Sequence, residues 1–160
     1  MHKLGKILGI SGVIGAVIVV GNKIVSLVKR YKENADKYYA FFLLENEWLK
    51  LKQMEVKIAD YLLDCQYKKI AIYGMNSLGE ALYRELINTD VEVVYTIDKN
   101  ADGLNVHYCD VLKPSDELPP VDVVIVTPFI YFKEIHKSLR KKLSCPFISI
   151  QDIIYELIEE

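Results

Sequence analysis

The chain is poor in the residues that most often announce chemistry. It has three cysteines and three histidines among 160 residues. Cys65, Cys109 and Cys145 are far apart, form no C-x-x-C pair and match no zinc-ligand spacing. They read as reduced thiols of a cytosolic type. His2, His107 and His136 are equally scattered and have no metal-ligand spacing, so no metal site is expected. The chain has no G-x-S-x-G nucleophile elbow and no Walker lysine behind a glycine loop. Tyr83, His107, Lys133 and His136 are candidate acid–base groups with no spacing that ties them together. Catalysis by this chain alone is therefore not expected.

Acidic charge is scarce in the first part of the chain, and the two signs are unevenly divided along it. Residues 1–37 carry seven Lys/Arg against two acids, and the remainder carries thirteen against twenty. No basic patch with interleaved aromatics occurs in the acidic remainder, so nucleic acid is not an expected partner. The basic end coincides with the most apolar stretch, which points to membrane lipid instead. Ile7–Asn22 is an uncharged run bracketed by Lys6 and Lys23. Extended over Leu4–Val28, with both lysines snorkelling, it reaches the length of about 20 residues that a spanning helix needs. A single-pass anchor over residues 1–33 is the expectation. An interfacial or buried helix, and a signal peptide cleaved at Val19-Val20-Gly21, are the alternatives. Lys29, Arg30 and Lys32 outnumber the charges before the run, which places the rest of the chain in the cytoplasm. Gly5, Gly9, Gly12 and Ala16 share one helix face and offer a close-approach surface for a second copy.

Residues 34–65 read as an amphipathic helical stalk with a break near Gln53-Met54. Phe41, Phe42, Leu44, Trp48, Leu49 and Leu51 form its apolar face. Phe41, Phe42 and Trp48 are a second candidate homodimer surface.

The globular part, residues 66–160, is organised around Lys69-Ile70-Ala71-Ile72-Tyr73-Gly74-Met75-Asn76-Ser77-Leu78-Gly79. A short β-branched run stops at a glycine, and a helical pattern over Ser77–Asn88 follows, with Leu78, Ala81, Leu82 and Leu86 towards a sheet. That is a strand–turn–helix of the dinucleotide-binding type, with Asn76 where the motif has its middle glycine. Asn76 either contacts a ligand or caps the helix. Gly74 allows a tight turn and Gly79 a close helix–sheet approach, and the helix N-terminus offers N–H groups to a phosphate. Val91–Ile97 reads as the next strand and ends at Asp98, placed to accept hydrogen bonds from a ribose or to sit in a solvated Asp98-Lys99-Asn100 turn. Asn105–Tyr108 reads as a third strand, Val111–Pro120 as a loop and Val121–Thr127 as a fourth strand. Thr127-Pro128 then caps a helix to Leu143. Phe147–Ile150 is a last strand, and Ser149 with Asp152 suggests a capping box for a closing helix. The whole predicts a small Rossmann-like α/β domain with a mostly parallel sheet of four or five strands between helical layers. Its crevice should lie above the ends of the first and fourth strands, where Gly74, Asn76, Ser77, Asp98 and Thr127 meet, with Gly79 behind them.

These segments resemble the small Rossmann-like domains of bacterial surface-glycan biosynthesis, such as the N-terminal domain of nucleotide-sugar acetyltransferases. The resemblance rests on Ile70–Gly74, Leu78-Gly79, Tyr95–Asn100 and Val121–Thr127. It implies a binding module for a nucleotide sugar, with NAD or CoA matching the same motifs. It also implies cell-surface polysaccharide assembly as the setting. A non-catalytic interaction protein that keeps the fold without a ligand is the alternative, and an NAD-binding oxidoreductase component is a third reading.

Overall fold

The computed structural model describes residues 2–104, 106 and 108–159, with side chains from residue 20 onward. The chain divides into two compact units, residues 1–42 and 43–160. A continuous helix, α1 (His2–Gln53), crosses the 33/34 boundary expected between anchor and stalk. The Gly5, Gly9, Gly12 and Ala16 face and most of the Ile7–Asn22 run concern side chains outside the described residues. Among the described residues, no helix is long and apolar enough to cross a membrane.

In the second unit, Leu44, Trp48 and Leu51 of α1 are buried. The chain breaks after Gln53, where the sequence suggested. Glu55 takes a left-handed φ of 60°, Val56 N–H donates to Leu51 O (2.9 Å) and Glu55 N–H to Lys52 O (3.2 Å). This is a Schellman-type end without its usual glycine. The same device closes α2 (Ile58–Asp64): Gln66 has φ 64°, and Tyr67 N–H donates to Leu62 O (2.8 Å). Since a Cβ is strained at positive φ, Gln66→Gly should raise stability by about 0.5–1 kcal/mol, read as a higher denaturation midpoint.

Among the described residues, five strands form one parallel sheet. They are β1 (Lys69–Tyr73), β2 (Glu92–Ile97), β3 (Val111–Leu112), β4 (Val123–Val126) and β5 (Phe147–Ser149), in the order β3-β2-β1-β4-β5. The order reverses between β1 and β4, which makes that pair the topological switch point. β1 is central and buried from Ile70 onward, and β4 is buried throughout. This is why both are continuous apolar runs instead of alternating ones. Ala71, Tyr73, Tyr95, Ile97, Val124 and Val126 form one face of the core with Ile135, Leu139 and Leu143. α3 (Ser77–Leu86) packs on β1 and β2, α5 (Ile150–Glu159) packs on β5, and α2 touches both helices.

Several expectations are corrected. The third strand is Val111–Leu112, paired with Thr96 and Ile97, and not Asn105–Tyr108. Asn105 and His107 lie outside the described residues, and Val106 and Tyr108 are not in a strand. On α3 the inward stripe is Leu78, Gly79, Leu82, Tyr83 and Leu86, and Ala81 is exposed. At about 100° per residue Ala81 falls well outside that stripe. The segment after Pro128 begins as a 3₁₀ turn (Phe129–Tyr131) and continues as α4 (Phe132–Leu139), because Thr127 is used elsewhere. Trp48, placed on a candidate homodimer surface, is 6% exposed, with its indole N–H donated to Glu85.

A crevice at the switch point

β1 ends in a turn that tolerates no side chain. Gly74 has φ +93°, and a Cβ there would meet Pro128 Cδ at 2.6 Å and Thr127 Oγ1 at 2.9 Å. A Cβ on Gly79 would run into the Gly74 carbonyl oxygen, so the first turn of α3 rests directly on the β1 turn. Asn76 is the N-cap of α3: its Oδ1 accepts from Gly79 N–H at 3.1 Å. Thr127, fully buried at the end of β4, donates its hydroxyl to Gly74 O (2.7 Å), with Tyr73 O and Asn76 Oδ1 at 3.1 and 3.3 Å. Thr127 therefore latches β4 to the β1 turn and does not cap the following helix.

Asp98 is half-buried at the end of β2 and has a structural task. Its Oδ2 accepts from Met75 N–H at 2.9 Å and its Oδ1 from Asn100 N–H at 2.8 Å. A carboxylate thus occupies one of the turn N–H groups that a phosphate would use, and Asn76 occupies another. Two of the N–H groups expected to serve a phosphate at this turn, those of Met75 and Gly79, are therefore occupied from within. Asp98→Ala should cost about 1–3 kcal/mol of stability by leaving the Met75 N–H without its charged acceptor. A melting curve superimposable on that of the wild type would contradict that role.

Five of the six residues singled out in the sequence, Gly74, Asn76, Gly79, Asp98 and Thr127, converge here. Ser77 does not. It lines a separate groove of about 520 Å³ beside Trp48, Leu49 and Arg84. The crevice itself, of about 470 Å³, opens above the ends of β1, β2 and β4. Tyr73, Gly74, Pro128, Tyr131 and Ile135 give it apolar walls, and Asp98, Lys99, Glu134 and Ser138 give it polar points. Apart from Gly74 and Asp98, sequence reasoning missed these residues, since they come from three segments far apart in the chain, 73–74, 98–99 and 128–138.

Tyr73 is the unusual member. It is 4% exposed, and its hydroxyl is a buried polar atom with no hydrogen-bond partner among the described residues. Burial, and then the nearby Asp98 carboxylate, push its pKa up, so the phenol stays protonated and keeps a hydrogen to donate.

The candidate acid–base groups do not assemble. Tyr83 donates to Tyr108 O (2.7 Å), and His136 lies between the rings of Phe132 and Phe147. Lys133 is exposed, and His107 is outside the described residues. Tyr95 and Lys99 have a Tyr-x-x-x-Lys spacing, but Tyr95 is buried and its hydroxyl donates to Pro119 O at 2.7 Å. Burial raises the thiol pKa of both Cys109 and Cys145, which keeps them protonated. Among the described residues, no group of three or more His, Cys, Asp or Glu could hold a metal ion.

The fold and crevice define an α/β protein with an all-parallel five-stranded sheet, an arrangement that fits the Rossmann-like class. No family model matches the chain, and no curated protein or solved structure matches it either.

Proposed function

We propose that this is a membrane-tethered, non-catalytic accessory protein that binds a nucleotide-type ligand, such as a nucleotide sugar, in the crevice at the switch point. The setting consistent with that reading is assembly of cell-surface glycan. The observation that carries it is the Tyr73 hydroxyl: a buried donor with no partner, in the wall of a crevice at the carboxyl ends of parallel strands. Leaving such a group unmade costs about 1–3 kcal/mol, and an acceptor brought into the crevice by a ligand would complete it. The basic, apolar N-terminal stretch supports the tether.

Calorimetric titration of the purified chain with UDP-sugars, NAD, CoA and nucleoside diphosphates tests this. One of them should bind, and Tyr73→Phe should weaken it by about 0.5–1.5 kcal/mol, the worth of one hydrogen bond. Tyr73→Phe should not lower the melting temperature, because it removes an unsatisfied polar atom and no bond. If none of these ligands binds, the proposal fails. The second reading, an interaction protein without ligand, then gains; the occupied Met75 and Gly79 N–H groups favour it.

A further inference from the structure

The first unit carries a feature that the crevice does not use. Every residue from Val20 to Asp36 of α1 is exposed. The exposed residues include large apolar ones: Ile24 at 55%, Val28 at 61% and Tyr31 at 70%, with Tyr38 further along at 76%. At about 100° per residue, Val20, Ile24, Leu27, Val28, Tyr31 and Tyr38 fall within one sector of about 100°. Lys23 and Arg30 flank one edge of that sector and Lys32 the other. Glu33 and Asp36 project on the far side, where Lys29 Nζ lies 3.9 Å from Glu33 Oε1. The result is an apolar stripe with basic margins and a mixed back, where the exposed Val25 and Lys29 sit with Glu33 and Asp36.

We propose that Val20–Tyr38 lies in the plane of an anionic lipid surface, with the apolar stripe at the acyl boundary and Lys23, Arg30 and Lys32 against the headgroups. This rests on, and specifies, the membrane tether of the proposed function. Charge complementarity selects lipid over a second copy of the chain. A second helix packed on the stripe would bring the same three cations to the same margins, whereas anionic headgroups neutralise them. The aromatic content agrees. Tyr31 and Tyr38 are amphipathic rings of the kind enriched at the membrane–water boundary. In the sequence, the uncharged run Ile7–Asn22 leads directly into the segment.

The test is sedimentation of the full chain with vesicles of phosphatidylcholine alone and of phosphatidylcholine with phosphatidylglycerol. Partitioning to the anionic vesicles should be at least about tenfold stronger and should weaken as salt is raised. The triple variant Lys23→Gln, Arg30→Gln, Lys32→Gln should lose that preference. Lys29→Gln, on the far side, should keep most of it. Leu27→Ser with Tyr31→Ser should weaken binding to both vesicle types. Equal binding to neutral and anionic vesicles, or a Lys29→Gln effect as large as that of the triple variant, overturns the in-plane basic-margin arrangement and leaves the tether standing. Absence of binding to any vesicle overturns the tether as well. A stable dimer in lipid-free solution that Tyr31→Ser dissociates shows that a second copy covers the stripe, and overturns the proposal.

Discussion

Gly79→Ala should cripple the second unit, lowering its stability by about 3–5 kcal/mol. The added methyl group would occupy the space of the Gly74 carbonyl oxygen, a backbone atom that no side-chain rotation can clear. Two responses are open, and both are costly. α3 can lift off β1, which opens the core around Leu78 and Leu82, both now buried. Alternatively, the β1 turn can move, which breaks the bonds from Thr127 Oγ1 to Gly74 O and from Gly74 N–H to Ile97 O. For a domain of this size the midpoint of thermal unfolding should fall by at least about 10 °C. Gly21→Ala is the control. It makes the same chemical change on an exposed helical turn with nothing within 4 Å of the new Cβ. It should leave the melting of the second unit unchanged and favour the helix by up to about 1 kcal/mol. If the two variants melt alike, α3 does not rest on the β1 turn.

Glu85→Ala should be the next most damaging change, at about 2–4 kcal/mol. The Glu85 carboxylate joins three pieces of the chain. Its Oε2 accepts from Trp48 Nε1 of α1 at 2.9 Å, and its Oε1 accepts from the Ile58 N–H at the start of α2 at 3.0 Å. It also pairs with Lys52. The Lys52 pair is part-exposed and contributes little by itself. The two N–H bonds dominate, because truncation strands a donor on Trp48, 6% exposed, and another on Ile58, fully buried. Trp48 is the only tryptophan, so its fluorescence reports the event directly. Emission should shift to longer wavelength as the indole meets water. Glu85→Gln keeps one acceptor oxygen and should cost less. In a Trp48→Phe background, the penalty of Glu85→Ala should shrink, since one of the two stranded donors is already gone. Additive losses would mean that the indole bond does not contribute.

Sequence and structure part company where pairing is long-range. β1, β4 and α3 are legible because their signal is local: β-branched runs bounded by turn residues, then a 3.6-residue period. The break after Gln53 is legible for the same reason, although nothing local says that Glu55 will adopt a positive φ. β3 is different. Two residues, Val111 and Leu112, carry no periodicity, and they are a strand only because the edge of β2 offers Thr96 and Ile97 as partners. Asp98 shows the limit most clearly. An acid at a strand end is visible in the sequence, but its partner is a backbone N–H 23 residues away, and a backbone N–H has no sequence signature.

What the sequence determined alone is therefore the β1–turn–α3 unit, the apolar run of β4 and the glycine turn beside it. The basic margins of α1 belong to it as well, since helical periodicity and charge are local properties. Tertiary structure decided what the turn does. It brought Asp98 and Thr127 in to fill the turn's donors and acceptors, moved Ser77 to another groove, and enclosed the Tyr73 hydroxyl without a partner. Those outcomes depend on which atoms approach within hydrogen-bond distance after α3, β2 and β4 have packed. At that range, a change of a single ångström in helix position decides whether an N–H faces a carboxylate or an open crevice.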